Sequence, residues 1–228
     1  MMKNILQKLS SFGTAPPQFD PAIFKDEIAL KTEWTPAKGG GANFRTHKLI
    51  EISPYRIEFH SSVGAKIFYS LFMVFGLGFG IVFAAIELSE GELSIDIEKL
   101  MPILFGLLFF AVGALMLYFG TTPIVFDRAS GYFWKGRKTP QDVLDWHSLK
   151  NVAQIGEIHA LQILAEYIRG SKSSYYSYEL NIVLRDGKRL NVVDHGNLNK
   201  LREDAKTLSA FLGKAVWDAT EISTRKTE

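Results

Sequence analysis

IFYSLFMVFGLGFGIVFAAI, residues 67–86, and LMPILFGLLFFAVGALMLYFG, residues 100–120, decide the fold. Neither stretch contains Asp, Glu, Lys, Arg, His, Asn or Gln. At about 1.5 Å of rise per residue each forms a helix roughly 30 Å long, the thickness of a bilayer's hydrocarbon core. The alternative is a pair of core helices in a soluble protein. Such helices seldom run twenty residues without one charged or amide side chain, so the lengths argue for transmembrane helices. Gly76, Gly80 and Ala84 recur every four residues in the first and Gly106, Gly113 and Gly120 every seven in the second. Small residues let two backbones approach closely, and in lipid close packing drives helix association. Pro102 falls in the first turn, where its missing N–H costs little. Ion and proton pathways need polar groups inside the helix bundle, so the hairpin reads as an anchor.

Charge sets the expected orientation. Arg45, Lys48, Arg56 and Lys66 precede the first span and Arg128, Lys135, Arg137 and Lys138 follow the second. Residues 87–99 carry Lys99 against Glu87, Glu90, Glu92, Asp96 and Glu98. Basic flanks stay in the cytoplasm, so a short acidic loop is exported and both termini lie on the cytoplasmic side of a bacterial inner membrane. Residues 1–66 hold nine basic and six acidic side chains, and residues 121–228 sixteen and thirteen. Neither part is basic enough for a nucleic-acid partner. The absence of cysteine removes disulfides, thiolate metal sites and a cysteine nucleophile. The first twelve residues lack the continuous apolar core of a signal peptide, so the first span is expected to act as an uncleaved anchor.

Beyond Gly120 the pattern changes to short strands. Pro123–Phe126 and Tyr132–Trp134 flank the turn cluster Asp127–Gly131 and predict a hairpin. Val152–Ile155 and His159–Ile168 are candidate strands, and Arg169–Ser177 reads as a polar loop. Tyr178–Arg185 and Lys188–Asp194 flank Asp186-Gly187, the signature of a type I′ hairpin. Asn197 caps a predicted helix to Leu212 whose apolar stripe is Leu198, Leu201, Ala205, Leu208 and Phe211 with Leu212, and Gly213 stops it. Ahead of the first span, Pro16, Pro17 and Pro21 suggest an extended linker and Lys38–Ala42 a flexible turn. Phe44–Ile52 and Tyr55–His60 read as two strands. Two strands alone are marginal in water, so they are expected to join the sheet of the C-terminal domain, which makes the membrane hairpin an insertion within one β domain.

The predicted fold is α+β: a two-helix transmembrane hairpin attached to an antiparallel β sandwich or barrel of pleckstrin-homology-like (PH-like) type, closed by a C-terminal amphipathic helix. The expected division is an arm over 1–43, strands over 44–62, spans at 67–86 and 100–120 around the loop 87–99, the PH-like domain over 121–218 and a frayed tail over 219–228. Phe126-Asp127-Arg128 with Gly131 just after the second span, Phe133 and Trp134, and the helix ending Phe211-Leu212 give residues 66–217 a layout that resembles the photosystem I assembly factors. The same layout is similar to bacterial membrane proteins with PH-like domains beside a helical hairpin. The resemblance implies a fold and no specific activity.

Candidate sites follow from chemistry. Lys172, Tyr175, Tyr176 and Tyr178 combine a cation with aromatics favoured in interfaces; a disordered loop is the plainer alternative. Lys135, Arg137 and Lys138 lie beside the membrane and suit anionic lipid headgroups, or serve only as the topology signal. Asp194-His195-Gly196, between a strand and a helix, reads as a turn in which Gly supplies positive φ. None of His47, His60, His147, His159 and His195 is paired at helical spacing, so no metal site and no cofactor is expected. The expected function is a non-enzymatic, membrane-anchored adaptor or scaffold whose cytoplasmic domain binds a protein or a lipid headgroup. Its partners would be the bilayer, an unidentified protein and a second copy of the chain. The alternatives are an immunity protein binding a membrane-active toxin and an enzyme acting at the membrane surface through Asp194 and His195.

Overall fold

The computed structural model describes residues 19–89, 97–145, 149–170 and 173–220. The first eighteen residues of the expected arm, residues 90–96 of the acidic loop, His147, Lys172 and residues 221–228 of the tail lie outside them.

Among the described residues nine strands form two sheets. One has the order β1 (His47–Ser53), β2 (Arg56–Ser61), β3 (Ile124–Asp127), β4 (Tyr132–Lys135) and β5 (Val152–Gln154). The other has the order β8 (Arg189–His195), β7 (Ser174–Leu184), β6 (Ile158–Arg169) and β9 (Ala215–Asp218). All neighbours are antiparallel except β6 and β9. Among the described residues the two sheets stay separate and no closed barrel forms. Along β2 side chains alternate, as a half-buried strand requires: Ile57 and Phe59 are buried, while Arg56, Glu58 and His60 point to the other face and pair with one another at 2.6 Å. Ile57, Phe59, Ile124, Phe126 and Phe133 of the first sheet meet Leu161, Ile163, Leu180, Ile182 and Val193 of the second in one core.

β2 and β3 are hydrogen-bonded neighbours, with Phe59 opposite Ile124. The two long helices leave and return between them. The strands before the first helix and those after the second therefore share one sheet. α2 (Val63–Ser89) and α3 (Ile97–Gly120) are long and apolar enough to cross a membrane, with mean hydropathy 2.3 and 2.5. Only 6% and 11% of their most apolar windows are buried. A core helix of a soluble protein would instead be covered by other protein. The helices pack through glycine: Gly76, Gly106 and Gly113 are buried. A Cβ added at Gly106 would stand 2.7 Å from both Gly76 O and Gly80 N, and one at Gly113 would stand 2.6 Å from Met73 N. Gly80 is looser, its added Cβ 4.0 Å from the nearest atoms.

The amphipathic helix α4 (Leu198–Leu212) closes one side of the sandwich and packs on β6, β7 and β9. Asn197 caps it by accepting from Lys200 N–H (3.0 Å), and Gly213, at φ 64°, ends it by donating to Ser209 O (2.8 Å). Leu201, Ala205 and Leu208 are its buried stripe.

Three expectations need correction. The Asp186-Gly187 hairpin is not a type I′ turn. Leu184 N–H bonds Lys188 O (2.8 Å), so the loop has three residues, and of these only Gly187 (φ 83°) has positive φ. That is a type I turn completed by a left-handed glycine. Ser174–Ser177 are strand, not loop: Arg169 pairs with Ser174 and Tyr167 with Tyr176. Their tyrosines favour the pleated surface of a long two-stranded ribbon. Finally, the part of the arm from residue 19 on is not a free extended linker. Pro21–Phe24 form a 3-10 turn and α1 covers Glu27–Lys31. Phe24, Ile28 and Trp34 then pack with Ala160, Val183 and Trp217 on the outer face of the second sheet. Backbone groups of this strap also meet the sheet's polar side chains. Gln162 donates to Glu33 O (3.0 Å), Arg189 to Thr35 O (2.6 Å), and Glu179 accepts from Ala37 N–H (3.0 Å).

Candidate functional site

The end of the sandwich at which both helices join it gathers most of the unusual chemistry. Both junctions are short and pinned. Ser62 Oγ donates to Arg45 O (2.6 Å) and caps α2 by accepting from Ala65 N–H (3.0 Å). Ser61 Oγ donates to the Gly120 carbonyl, joining the start of one helix to the end of the other. Thr121 Oγ1 turns back to Leu117 O (2.7 Å), and Arg137 donates to Tyr118 O (2.7 Å) with its guanidinium 4.3 Å over the Tyr118 ring. A cation placed on the last carbonyls of a helix offsets its dipole.

Lys135 differs from its two neighbours. Its side chain runs inward between the sheets, and Nζ donates to Asn191 Oδ1 (2.9 Å) and to the Val192 carbonyl (2.8 Å). Burial lowers its pKa to about 8. The ammonium grouped above with Arg137 and Lys138 as a headgroup contact is thus spent on tying the two sheets together. Asn191 passes the network on to Asp194 Oδ1 (2.9 Å), whose pKa burial, and then the nearby Glu179, raise to about 6. Thr46 Oγ1 donates to Asp194 O (2.7 Å) and also meets His47 Nδ1 (2.9 Å). Burial, with Lys135 and His195 nearby, lowers His47 to about 4.

His195 is fully buried. Its Nδ1 accepts from Asn197 N–H (3.2 Å), so the neutral ring carries its proton on Nε2, which has no partner among the described residues. Burial, and then Arg45, hold its pKa near 4. Gly196 is not there for positive φ: its own φ is ordinary, but an added Cβ would stand 2.7 Å from Asn43 Cα. The glycine lets residue 43 cross the strand end, and Gly196 N–H bonds Phe44 O (3.1 Å). Asp194, His195 and Gly196 therefore sit under the incoming chain.

A cleft of about 430 Å³ lies between the last turn of α3 and the loop joining β4 to β5. Lys135, Arg137, Lys138 and Lys150 line it with Tyr118 and Phe119, and no acidic residue does among the described residues. Lys150 was not singled out in the sequence. It lies twelve positions beyond Lys138, and only the loop's return to β5 brings the two together.

The tyrosines divide. Tyr175 donates to Gly41 O (3.1 Å) and so holds the strap, and Tyr178 packs on the core. Tyr176 lies 5.1 Å from Tyr167 and 6.4 Å from Tyr178. Tyr167, 51% exposed, is the member that sequence reasoning missed. Its signal was its place opposite Tyr176, which requires the strand register. Because Tyr178 pairs with His195, the ribbon runs on past the end of β8. A second groove of about 580 Å³, at the opposite end, lies between the β1–β2 turn and α4 and is lined by Glu51, Pro54, Glu203, Lys206 and Phe211.

The chain matches no protein-family model, and no curated protein and no solved structure is significantly similar to it.

Proposed function

We propose that this protein is a membrane-anchored, non-enzymatic adaptor, with a PH-like sandwich held against the cytoplasmic face of a bacterial inner membrane. The observation that carries this reading is the insertion of α2 and α3 between the paired strands β2 and β3. An anchor joined by a flexible tether leaves a domain free to turn. An anchor continuous with two neighbouring strands, and pinned by Ser61, Ser62 and Arg137, gives the domain one end toward the bilayer and one end toward the cytoplasm. Fixing a binding face at a set height lowers the entropy lost on each encounter with a partner. Two antiparallel sheets with a terminal helix along one side support the PH-like reading. The strap and β9 are additions to it. The basic flanks and acidic connection support the orientation.

Photo-crosslinking in intact cells tests the reading. A crosslinker in place of exposed Tyr55, near the cytoplasm-facing groove, should capture a discrete protein. One at Leu71 or Leu107, on the lipid-facing helices, should capture lipid. Protein adducts confined to the helices would favour the toxin-binding alternative and overturn the adaptor. A chain recovered from the soluble fraction would overturn the anchor.

A further inference from the structure

We propose that the cleft between the last turn of α3 and the β4–β5 loop binds the phosphate headgroup of an anionic phospholipid. This rests on the reading that α2 and α3 span a bilayer. Among the described residues the cleft offers four basic side chains and no acidic one. Lys135 is engaged by Asn191 and Val192, and Arg137 is held over Tyr118. Lys138 and Lys150 are exposed and make no ion pair among the described residues. The nearby carboxylate of Asp142 is turned to the Thr139 N–H (2.9 Å) and does not line the cleft.

Position selects the ligand. The apolar run of α3 ends at Gly120 after about 30 Å, so Tyr118 and Phe119 stand where hydrocarbon gives way to headgroups, the level aromatic rings prefer. Both rings are more than half exposed. They form the apolar wall of the cleft and are continuous with the lipid-facing surface of the helix. A phosphate beside Arg137, Lys138 and Lys150 can therefore keep its acyl chains along α3. A free phosphate would gain only the charges. Basic pockets beside membrane helices on the cytoplasmic side recognise anionic headgroups in this way.

The experiment uses the full chain in nanodiscs of equal phosphatidylglycerol and phosphatidylcholine, with the lipids retained on release read by native mass spectrometry. The chain should retain phosphatidylglycerol in preference. Lys138→Gln and Lys150→Gln should each reduce that preference about fivefold, the effect of one basic charge near an anionic surface. Lys206→Gln, the same charge change in the opposite groove, should leave it unchanged. Equal retention of both lipids by a correctly inserted chain, or an equal loss with Lys206→Gln, would overturn the site and leave the anchor standing. Competition by millimolar glycerol phosphate as strong as that by the lipid would overturn the lipid as ligand in favour of a soluble phosphate. A chain that fails to insert would overturn the underlying reading itself.

Discussion

Gly106→Ala adds one methyl group to the long apolar helix α3 and should separate it from its neighbour. The new Cβ would stand 2.7 Å from both Gly76 O and Gly80 N, whereas ordinary contacts of this kind begin near 3.4 Å. Both obstacles are backbone, so no side chain can swing aside, and the helices must part locally by roughly 0.7 Å. A gap of 0.5–1 Å forfeits about a quarter to a half of each dispersion contact it opens, and overpacking of this kind costs about 1–3 kcal/mol. For a chain of this size that is a fall in Tm of about 2–12 °C. Gly78→Ala is the matched control, because its added Cβ meets nothing within 4 Å. The assay is thermal unfolding in mild detergent. A second readout is the oxidation yield of cysteines replacing Phe75 and Phe109, whose rings lie 5.3 Å apart; the chain has no cysteine of its own to interfere. Gly106→Ala should lower both Tm and yield. Equal behaviour of the two alanine variants would refute the seam and leave the glycine spacing to chance.

Leu201→Asp places a carboxylate in the fully buried stripe of α4 and should cost at least the roughly 2–5 kcal/mol of a buried leucine, unfolding the sandwich without preventing membrane insertion; Lys206→Asp on the same helix should do little, and limited proteolysis of membranes reads the difference. Trp34→Ala removes the ring that packs between Phe24 and Trp217 (5.2 and 5.9 Å) and should cost about 2 kcal/mol, discounted from the full-burial value because the ring is partly exposed. A protease should then cut residues 19–43 while residues 121–217 stay intact. The pH dependence has opposing parts. His47 and His195 fall from 6.5 to about 4 on folding, so their contribution is complete above pH 6.5 and is lost as the pH falls through 4. Each amounts to roughly 3 kcal/mol across that window. Asp194, raised from 3.8 to about 6, contributes fully below pH 3.8 and loses that contribution as the pH rises through 6. His195→Asn keeps an acceptor for Asn197 N–H and removes one acid-sensitive term, so its acid unfolding midpoint should move to lower pH; an unmoved midpoint in an acid titration of tryptophan fluorescence would count against the buried neutral imidazole.

What could be read from the sequence was local. Two uncharged runs of helical length determined the apolar hairpin, because no arrangement of those residues in water hides them cheaply. Asn197, Gly213 and the stripe between them determined α4, because caps and periodicity act within a few residues. The two strands before the hairpin were expected to share a sheet with those after it, since two strands alone are unstable, and β2 does pair with β3. The tertiary structure decided what lies far apart in the chain. Gln162, Glu179 and Asn181 look like the solvated face of a sheet, yet they are buried, because a proline- and glycine-rich segment satisfies Gln162 and Glu179 with its backbone. Composition could not tell a strap from a free linker when the backbone groups, rather than side chains, make most of the polar contacts. Lys135, Arg137 and Lys138 looked alike in sequence, but the pleat of β4 sends the first between the sheets, while the following loop leaves the other two beside Lys150, at the end where the long helices join the sandwich. The basic flank was written in the sequence. Its division into an internal tie and a cleft lined by basic side chains depended on which way each side chain leaves the backbone, and that is settled only when the sheets close.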